Sequence, residues 1–260
     1  VPRDTTAFDG VAPDPAWPAT TEAFPPLGIT VAASLADQPV PERQWLVADW
    51  IPSSQVTLLS GDGGIGKSLL AMQLQIAAAA ARPWLGLPVM PCRSIGFYAE
   101  DDGGELHRRL VALADLMQVD IAALDRMAWR STVSDDSELI EPDERGTVRP
   151  TDYYRRVEQQ ALDFGARSVV LDAVTNFYGA DEVRRRQVNS FIRLLRELAI
   201  KIDGAVLLLA HSSLAGLNNG SGLSGSTHWN NAVRSRLYFT RTTSEDADPG
   251  ERELTKLKAN

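Results

Sequence analysis

The amino-acid sequence predicts an α/β domain: a mostly parallel twisted sheet with helices on both faces. Three observations carry this prediction. From residue 55 onward, short apolar runs alternate with longer amphipathic stretches. Three of the short runs end on a polar side chain, at or next to Glu100, Asp172 and His211. A glycine-rich stretch, Gly61–Ser68, joins the first apolar run to the first helical stretch.

The elements follow in chain order. Residues 1–43 hold eight of the 15 prolines. Proline removes backbone donors and restricts its neighbours, so this segment reads as a Pro-rich, irregular arm, and the second domain runs over 44–260. Apolar residues at 27–35 and 45–51 predict that the later part of the arm packs onto the domain. A strand is predicted over 55–60, then a helix over 68–81 that starts at the glycine-rich loop. Strand 93–99 is followed by helix 104–117, whose apolar stripe is Leu106, Leu110, Leu113 and Leu116. Residues 127–131 form a short strand. Residues 134–149 are acidic and turn-rich and read as a surface loop. Helix 152–164 leads to strand 168–172. A long amphipathic helix over 182–200 precedes strand 205–210. Residues 214–226 are rich in glycine, serine and asparagine and read as a loop. Strands at 236–240 and 253–258 close the sheet.

Composition bounds the function. Of 260 residues, 44% are hydrophobic and 23% charged, which supplies a sizeable core. Cys92 is the single cysteine, so a reducing cytoplasm is the expected setting. The longest apolar run, 73–81, falls far short of the roughly 20 residues that span a bilayer, so no membrane role is expected. Asn219-Gly220-Ser221 fits a glycosylation pattern that a cytoplasmic chain would never use. Val1 and Lys258-Ala259-Asn260 read as cut ends of a longer product. The net charge of −8 argues against a protein that coats nucleic acid, although a local basic path is compatible with it.

Gly61-Asp62-Gly63-Gly64-Ile65-Gly66-Lys67-Ser68 matches G-x-x-x-x-G-K-S without a gap, between a predicted strand and a predicted helix. Its glycines let backbone N–H groups converge on phosphate oxygens at a helix N-terminus. Together with Leu69, this stretch is the predicted ATP-binding segment. Lys67 is expected to reach the β and γ phosphates, and Ser68 to ligate Mg²⁺. Asp172, after the four strand residues Ser168–Leu171, is the expected second Mg²⁺ residue. The residue after it is Ala173, so a glutamate at that position is absent. Glu100, ending the next predicted strand after the loop, is then the best carboxylate to activate water. Asp101 and Asp102 suit the capping of the following helix. His211 is placed to hydrogen-bond the γ-phosphate or the attacking water.

Taken together, these stretches resemble the RecA-like P-loop ATPases, and within them the RepA-type hexameric replicative helicases of plasmids and phages. The resemblance runs from about Gln44 to Asn260. It is carried by Gly61–Ser68, Phe97–Asp101, Ser168–Asp172, Leu208–His211 and Gly225–Arg234. It implies that Glu100 is the catalytic glutamate, Asp172 the Mg²⁺-associated aspartate and His211 a coupling residue. It implies that Arg234, with Arg236 as the alternative, is an arginine finger reaching into a neighbouring subunit. Lys256 and Lys258 resemble trans-acting lysines. Residues 214–226 would face single-stranded DNA at the centre of a homo-oligomeric ring. That loop has no lysine, arginine or aromatic residue, unlike the usual single-strand binder. The basic cluster Arg184–Arg186 reads as a solvated helix face. Trp229 reads as packing. Two further readings stay open. One is an ATP-controlled scaffold or regulator; the other is a small-molecule kinase, which would need an arginine-bearing lid that the sequence does not show.

Overall fold

The computed structural model describes residues 28–211, 227–242, 248 and 250–259. The predicted loop 214–226, the acceptor-like Asn219 and the first 27 residues of the arm lie outside them. The chain divides into two compact units, Val1–Glu42 and Arg43–Asn260. In the first, the described residues contain one short 3₁₀ turn, Ala32–Leu35.

The second unit is built on a seven-stranded sheet. Its strands are β3 (Gln55–Gly61), β4 (Ser94–Tyr98), β5 (Met127–Ser131), β8 (Ser168–Asp172), β9 (Ala205–His211), β10 (Ser235–Arg241) and β11 (Arg252–Ala259). Their spatial order is β11-β10-β3-β9-β8-β4-β5. All neighbours are parallel except β10 and β11. Two small antiparallel pairs sit outside it: β1 (Trp45–Val47) with β2 (Ile51–Pro52), and β6 (Ile140–Pro142) with β7 (Val148–Pro150).

A parallel sheet covered on both faces needs strands that are apolar on both sides. The central strands meet this need. On β8, Val169 and Leu171 join one core and Val170 the other. On β9, Val206 and Leu208 alternate with Leu207 and Leu209 in the same way. One core is closed by α3 (Asp152–Asp163) and α5 (Arg185–Lys201), the other by α1 (Lys67–Ala79) and α2 (Gly103–Leu116). On α5, Val188, Phe191, Ile192, Leu195 and Leu198 face the sheet. Each such side chain stabilises the fold by roughly 1.5–3 kcal/mol through burial.

The structure amends several expectations. Residues 134–149 are not all surface loop. Leu139 and Ile140 are fully buried, and β6 and β7 pair across the acidic turn between them. A short helix α4 (Val174–Phe177) follows Asp172 unpredicted, and Leu139 N–H donates to the Phe177 carbonyl at 2.8 Å. The long helix begins at Arg185, three residues later than expected. Arg185 and Arg186 are exposed at its start, as a solvated face requires. Trp229, on α6 (Thr227–Ala232), is buried edge-on against Tyr178 and Phe191, with ring centroids 5.0 and 5.9 Å away. Its ring is therefore core material, and it anchors the chain just after residue 226.

A polar chain crosses the second core. Tyr98 Oη donates to Gln75 Oε1 at 2.5 Å, Gln75 Nε2 donates to Ser94 Oγ at 3.2 Å, and Ser94 Oγ donates to Ser168 Oγ at 3.1 Å. Tyr98 and Gln75 are wholly buried, so neither has water as a substitute partner. The chain ties α1, which starts at the glycine-rich loop, to β4 and β8. Tyr98→Phe leaves the Gln75 carbonyl without its donor. A loss of about 1–2 kcal/mol is expected, read as a lower urea midpoint at an unchanged slope. A wild-type midpoint would show that the tie adds nothing.

Candidate functional site

Parallel register brings the candidate residues to one rim. Gly61, at the end of β3, lies directly beside His211, at the end of β9. Asp172, at the end of β8, lies beside Tyr98, two residues before Glu100. In an open α/β sheet, the rim at the carboxyl ends of the strands is where ligands bind.

Two glycines make the loop possible. A Cβ on Gly61 would stand 2.4 Å from the Phe239 carbonyl oxygen on β10. Gly66 has φ of 103° and opens α1 in the left-handed region, where other residues are strained. The loop then delivers Lys67 and Ser68 into the first turn of α1.

The site is a cavity of about 200 Å³ lined by Gly64, Gly66, Lys67, Ser68, Leu69, Glu100, Asp101, Arg109, Asp172 and His211. Lys67 is buried, and its ammonium donates to the carbonyls of Gly61 at 3.0 Å and Asp62 at 2.7 Å. Burial pulls its pKa below the ordinary lysine value, against the fields of Asp172, Glu100 and Asp62, which favour the charge. His211 Nε2 and Glu100 Oε1 are 2.9 Å apart. Both side chains are about two-fifths exposed, at 39% and 41%. Gly63 and Ile65 complete the loop between these groups; Ile65 turns into the core.

Asp172 is 2% exposed, and its Oδ2 has no hydrogen-bond partner among the described residues. Burial pushes its pKa up to about 6, opposed by a hydrogen bond with the Ser68 side chain; Glu100 adds to the rise and Lys67 opposes it. A buried carboxylate oxygen with no partner, next to a serine hydroxyl, suits a divalent cation. Ser68 and Asp172 thus fit the group expected of them.

Of the two aspartates expected to suit capping, only Asp102 takes that role. Asp102 caps α2, accepting from the Glu105 N–H at 2.8 Å. Asp101 instead pairs with Arg109 in the cavity wall. Sequence reasoning missed Arg109. Its signal was a spacing: Glu105 and Arg109 are one turn apart on a helix that starts beside Glu100. Arg234 is exposed and lies outside this cavity, at the start of β10. Arg236, on β10, is half-buried, and burial lowers its pKa. Lys256 donates to the Asp49 carbonyl at 3.1 Å and Lys258 to the Val233 carbonyl at 2.8 Å, so both are engaged within their own chain. A larger cleft of about 380 Å³ lies on the α3 side, lined in part by Phe97, Arg130 and Tyr153. Its Arg130 donates through Nε and Nη2 to the Asp135 carboxylate at 2.9 to 3.0 Å. It offers no phosphate-binding backbone.

Comparison with known proteins bears on the family and the fold. The family model described as "AAA domain" matches residues 18–216. The chain belongs to the AAA domain family. A comparison with curated proteins found no match. Among solved structures, a KaiC-like protein of the hyperthermophilic archaeon Pyrococcus horikoshii OT3 superposes with a TM-score of 0.55 at 14% identity, covering 82% of this chain and 83% of that one. At that identity the likeness concerns the fold alone. This AAA domain therefore has a RecA-like P-loop ATPase fold, and no helix among its described residues is long and apolar enough to cross a membrane.

The buried Asp172 has a pH signature. Its pKa in the folded chain exceeds that of an unfolded aspartate, near 4, so the folded state holds an extra proton between about pH 4 and pH 6. The associated stability is complete below that window and is lost as pH rises through it. Asp172→Asn cannot ionise. Without divalent cations it should melt above wild type at about pH 7.5, by at most about 3 kcal/mol, and the gap should close toward pH 4. Thermal melts across that range check it, and a pH-independent gap would reject it.

Proposed function

We propose that this AAA domain is a Mg²⁺-dependent ATP hydrolase working as a RepA-like, ring-forming motor on single-stranded DNA. The observation that carries hydrolysis is the Glu100–His211 pair, 2.9 Å apart, at the mouth of the phosphate loop. Glu100 is the candidate base for the attacking water, and His211 holds it at a fixed angle. Lys67 neutralises the phosphates. Ser68 and Asp172 would hold Mg²⁺, which when bound offsets the charge that develops on the phosphoryl oxygens.

Two features support assembly. The cavity of about 200 Å³ among the described residues is smaller than the roughly 300–1,000 Å³ of a site that encloses a whole small-molecule ligand. Arg234, exposed and outside its own subunit's cavity, is available to a neighbour. Of the two candidate fingers, Arg236 is the more buried. A hexamer in the cytoplasm is the form the resemblance favours. The sequence of loop 214–226, free of basic and aromatic residues, favours a second reading: an ATP-controlled regulator that binds no DNA.

Steady-state phosphate release separates these cases. Glu100→Gln should keep ATP binding and lose about 100-fold or more in kcat. Arg234→Ala should lower turnover only in the assembled form, as judged by solution mass. Single-stranded DNA should stimulate wild-type turnover. Stimulation absent, with tight ATP binding and slow turnover, would favour the regulator; a phosphorylated acceptor in place of free phosphate would make the protein a kinase.

A further inference from the structure

A single strand of nucleic acid is held chiefly by neutralising its phosphates and stacking its bases. Loop 214–226 has no cation and no aromatic ring for either task. Beyond that loop, on α6, the Trp229 ring packs edge-on against Phe191 of α5, with 5.9 Å between centroids. The solvent side of α5 is basic. The helix carries Arg185, Arg186, Arg193, Arg196 and Lys201 against a single carboxylate, Glu197, in a chain of net charge −8.

Two exposed arginines on other helices show the usual local neutralisation. Arg108 pairs with Glu105 and Arg155 with Asp152, each three residues away. On α5 the equivalent positions ahead of Arg185 and Arg186 are Val188, Asn189 and Ser190. Among the described residues no carboxylate pairs with Arg185 or Arg186, while Asp181 takes Arg184 at 3.3 Å. Arg193 has Glu197 at 3.9 Å and is 75% exposed. Arg185 and Arg186 also sit in a first turn with no acidic residue, where the helix dipole disfavours positive charge. Water only screens that repulsion; a polyanion on the face reverses it. Arg185, Arg186, Asn189, Ser190 and Arg193 line one shallow hollow of about 450 Å³. Arg186 and Arg193 stand two turns apart on one side of the helix, about 10 Å along its axis, with Asn189 and Ser190 between them.

Resting on the reading of this chain as a motor on single-stranded DNA, we propose that the hollow on α5 is its backbone-binding surface. Arg185, Arg186 and Arg193 take phosphates along the strand, and Asn189 and Ser190 hydrogen-bond oxygens between them. The hollow has no aromatic side chain, so contact is with phosphate rather than base and is indifferent to sequence. Each arginine that meets a phosphate displaces a condensed counterion, so the salt dependence of binding counts the contacts. The helix that anchors the chain after the loop thereby supplies the charge that the loop lacks.

Binding of a dye-labelled oligothymidine to the full chain tests this, titrated over a range of salt with an ATP analogue and Mg²⁺ present. Arg186→Gln with Arg193→Gln should weaken binding by about tenfold or more at low salt. It should also flatten the slope of log affinity against log salt by about 1.4, at about 0.7 for each contact. Arg186→Lys with Arg193→Lys should keep the wild-type slope, since charge is what is counted. Arg108→Gln with Arg155→Gln removes the same charge from other helices and should leave affinity within about twofold and the slope unchanged. An unchanged slope in the α5 double variant, or an equal loss in the control pair, would overturn the proposal. So would displacement by polyglutamate as readily as by unlabelled oligothymidine, which would make the hollow a site for acidic protein. Should the α5 double variant fail to fold, Arg193→Gln decides alone, through a slope change of about 0.7 or none. A wild-type chain that binds no oligothymidine at any salt would sink the single-strand reading itself, a result distinct from any pattern among the variants.

Discussion

Strand register is the constraint on which the site depends. Gly61 meets His211, and Tyr98 meets Asp172, only if β3, β9, β8 and β4 are paired as they are. Side chains alternate along a strand, so a slip of one residue would turn every one of them to the other face. Here both faces are buried, so a slip would not expose an apolar face. It would instead exchange residues between two cores of different shape. Specific contacts therefore have to fix the register. Gly61 is one, since only a glycine allows the Phe239 carbonyl so close. The Gln75–Tyr98–Ser94–Ser168 chain is another, since its hydrogen bonds cannot be satisfied at a shifted position.

The same register concentrates charge. Lys67 is nearly wholly buried and Asp172 is 2% exposed, beside a Glu100 that is still open to solvent. Each of the buried pair is shifted toward its neutral form, Lys67 downward and Asp172 upward, although each favours the charge of the other. Desolvation outweighs their mutual attraction in both cases. A folded chain accepts that cost only where something else is gained. Phosphate and a divalent cation, if bound there, would offset both penalties together, one charge for each buried group. The glycine loop, the buried lysine and the buried aspartate are thus parts of one electrostatic arrangement.

Much of this was legible along the chain because it is written in local patterns. Strands β3, β4, β8 and β9 are apolar runs, and the phosphate loop is a contiguous string with a strand before and a helix after it. Glu100 could be singled out as a candidate by elimination, since Ala173 denies the position after Asp172, and it does line the cavity. What escaped depends on distance in space. The β6–β7 pair hides in an acidic segment because only Leu139 and Ile140 there are core residues, and two apolar residues make no period. Helix α4 is a single turn, too short for any periodicity. Arg109 reads as one of two equivalent arginines, Arg108-Arg109, until the cavity shows which of them faces inward.

The exposure of Glu100 and His211 then acquires a meaning. A base that activates water works best where bulk solvent is excluded. Lys67 and Asp172 already have such surroundings within one chain; the Glu100–His211 pair, about two-fifths exposed, does not. The half of the site that would bind phosphate is built in, and the half that would perform chemistry is left open. On the ring-forming reading, a neighbour supplies both the missing cover and a cation, so hydrolysis is tied to assembly rather than to nucleotide binding. A site closed within its own chain would fire wherever ATP is present. One that is completed by contact turns over only where subunits meet, and a motor whose subunits act in turn requires that dependence.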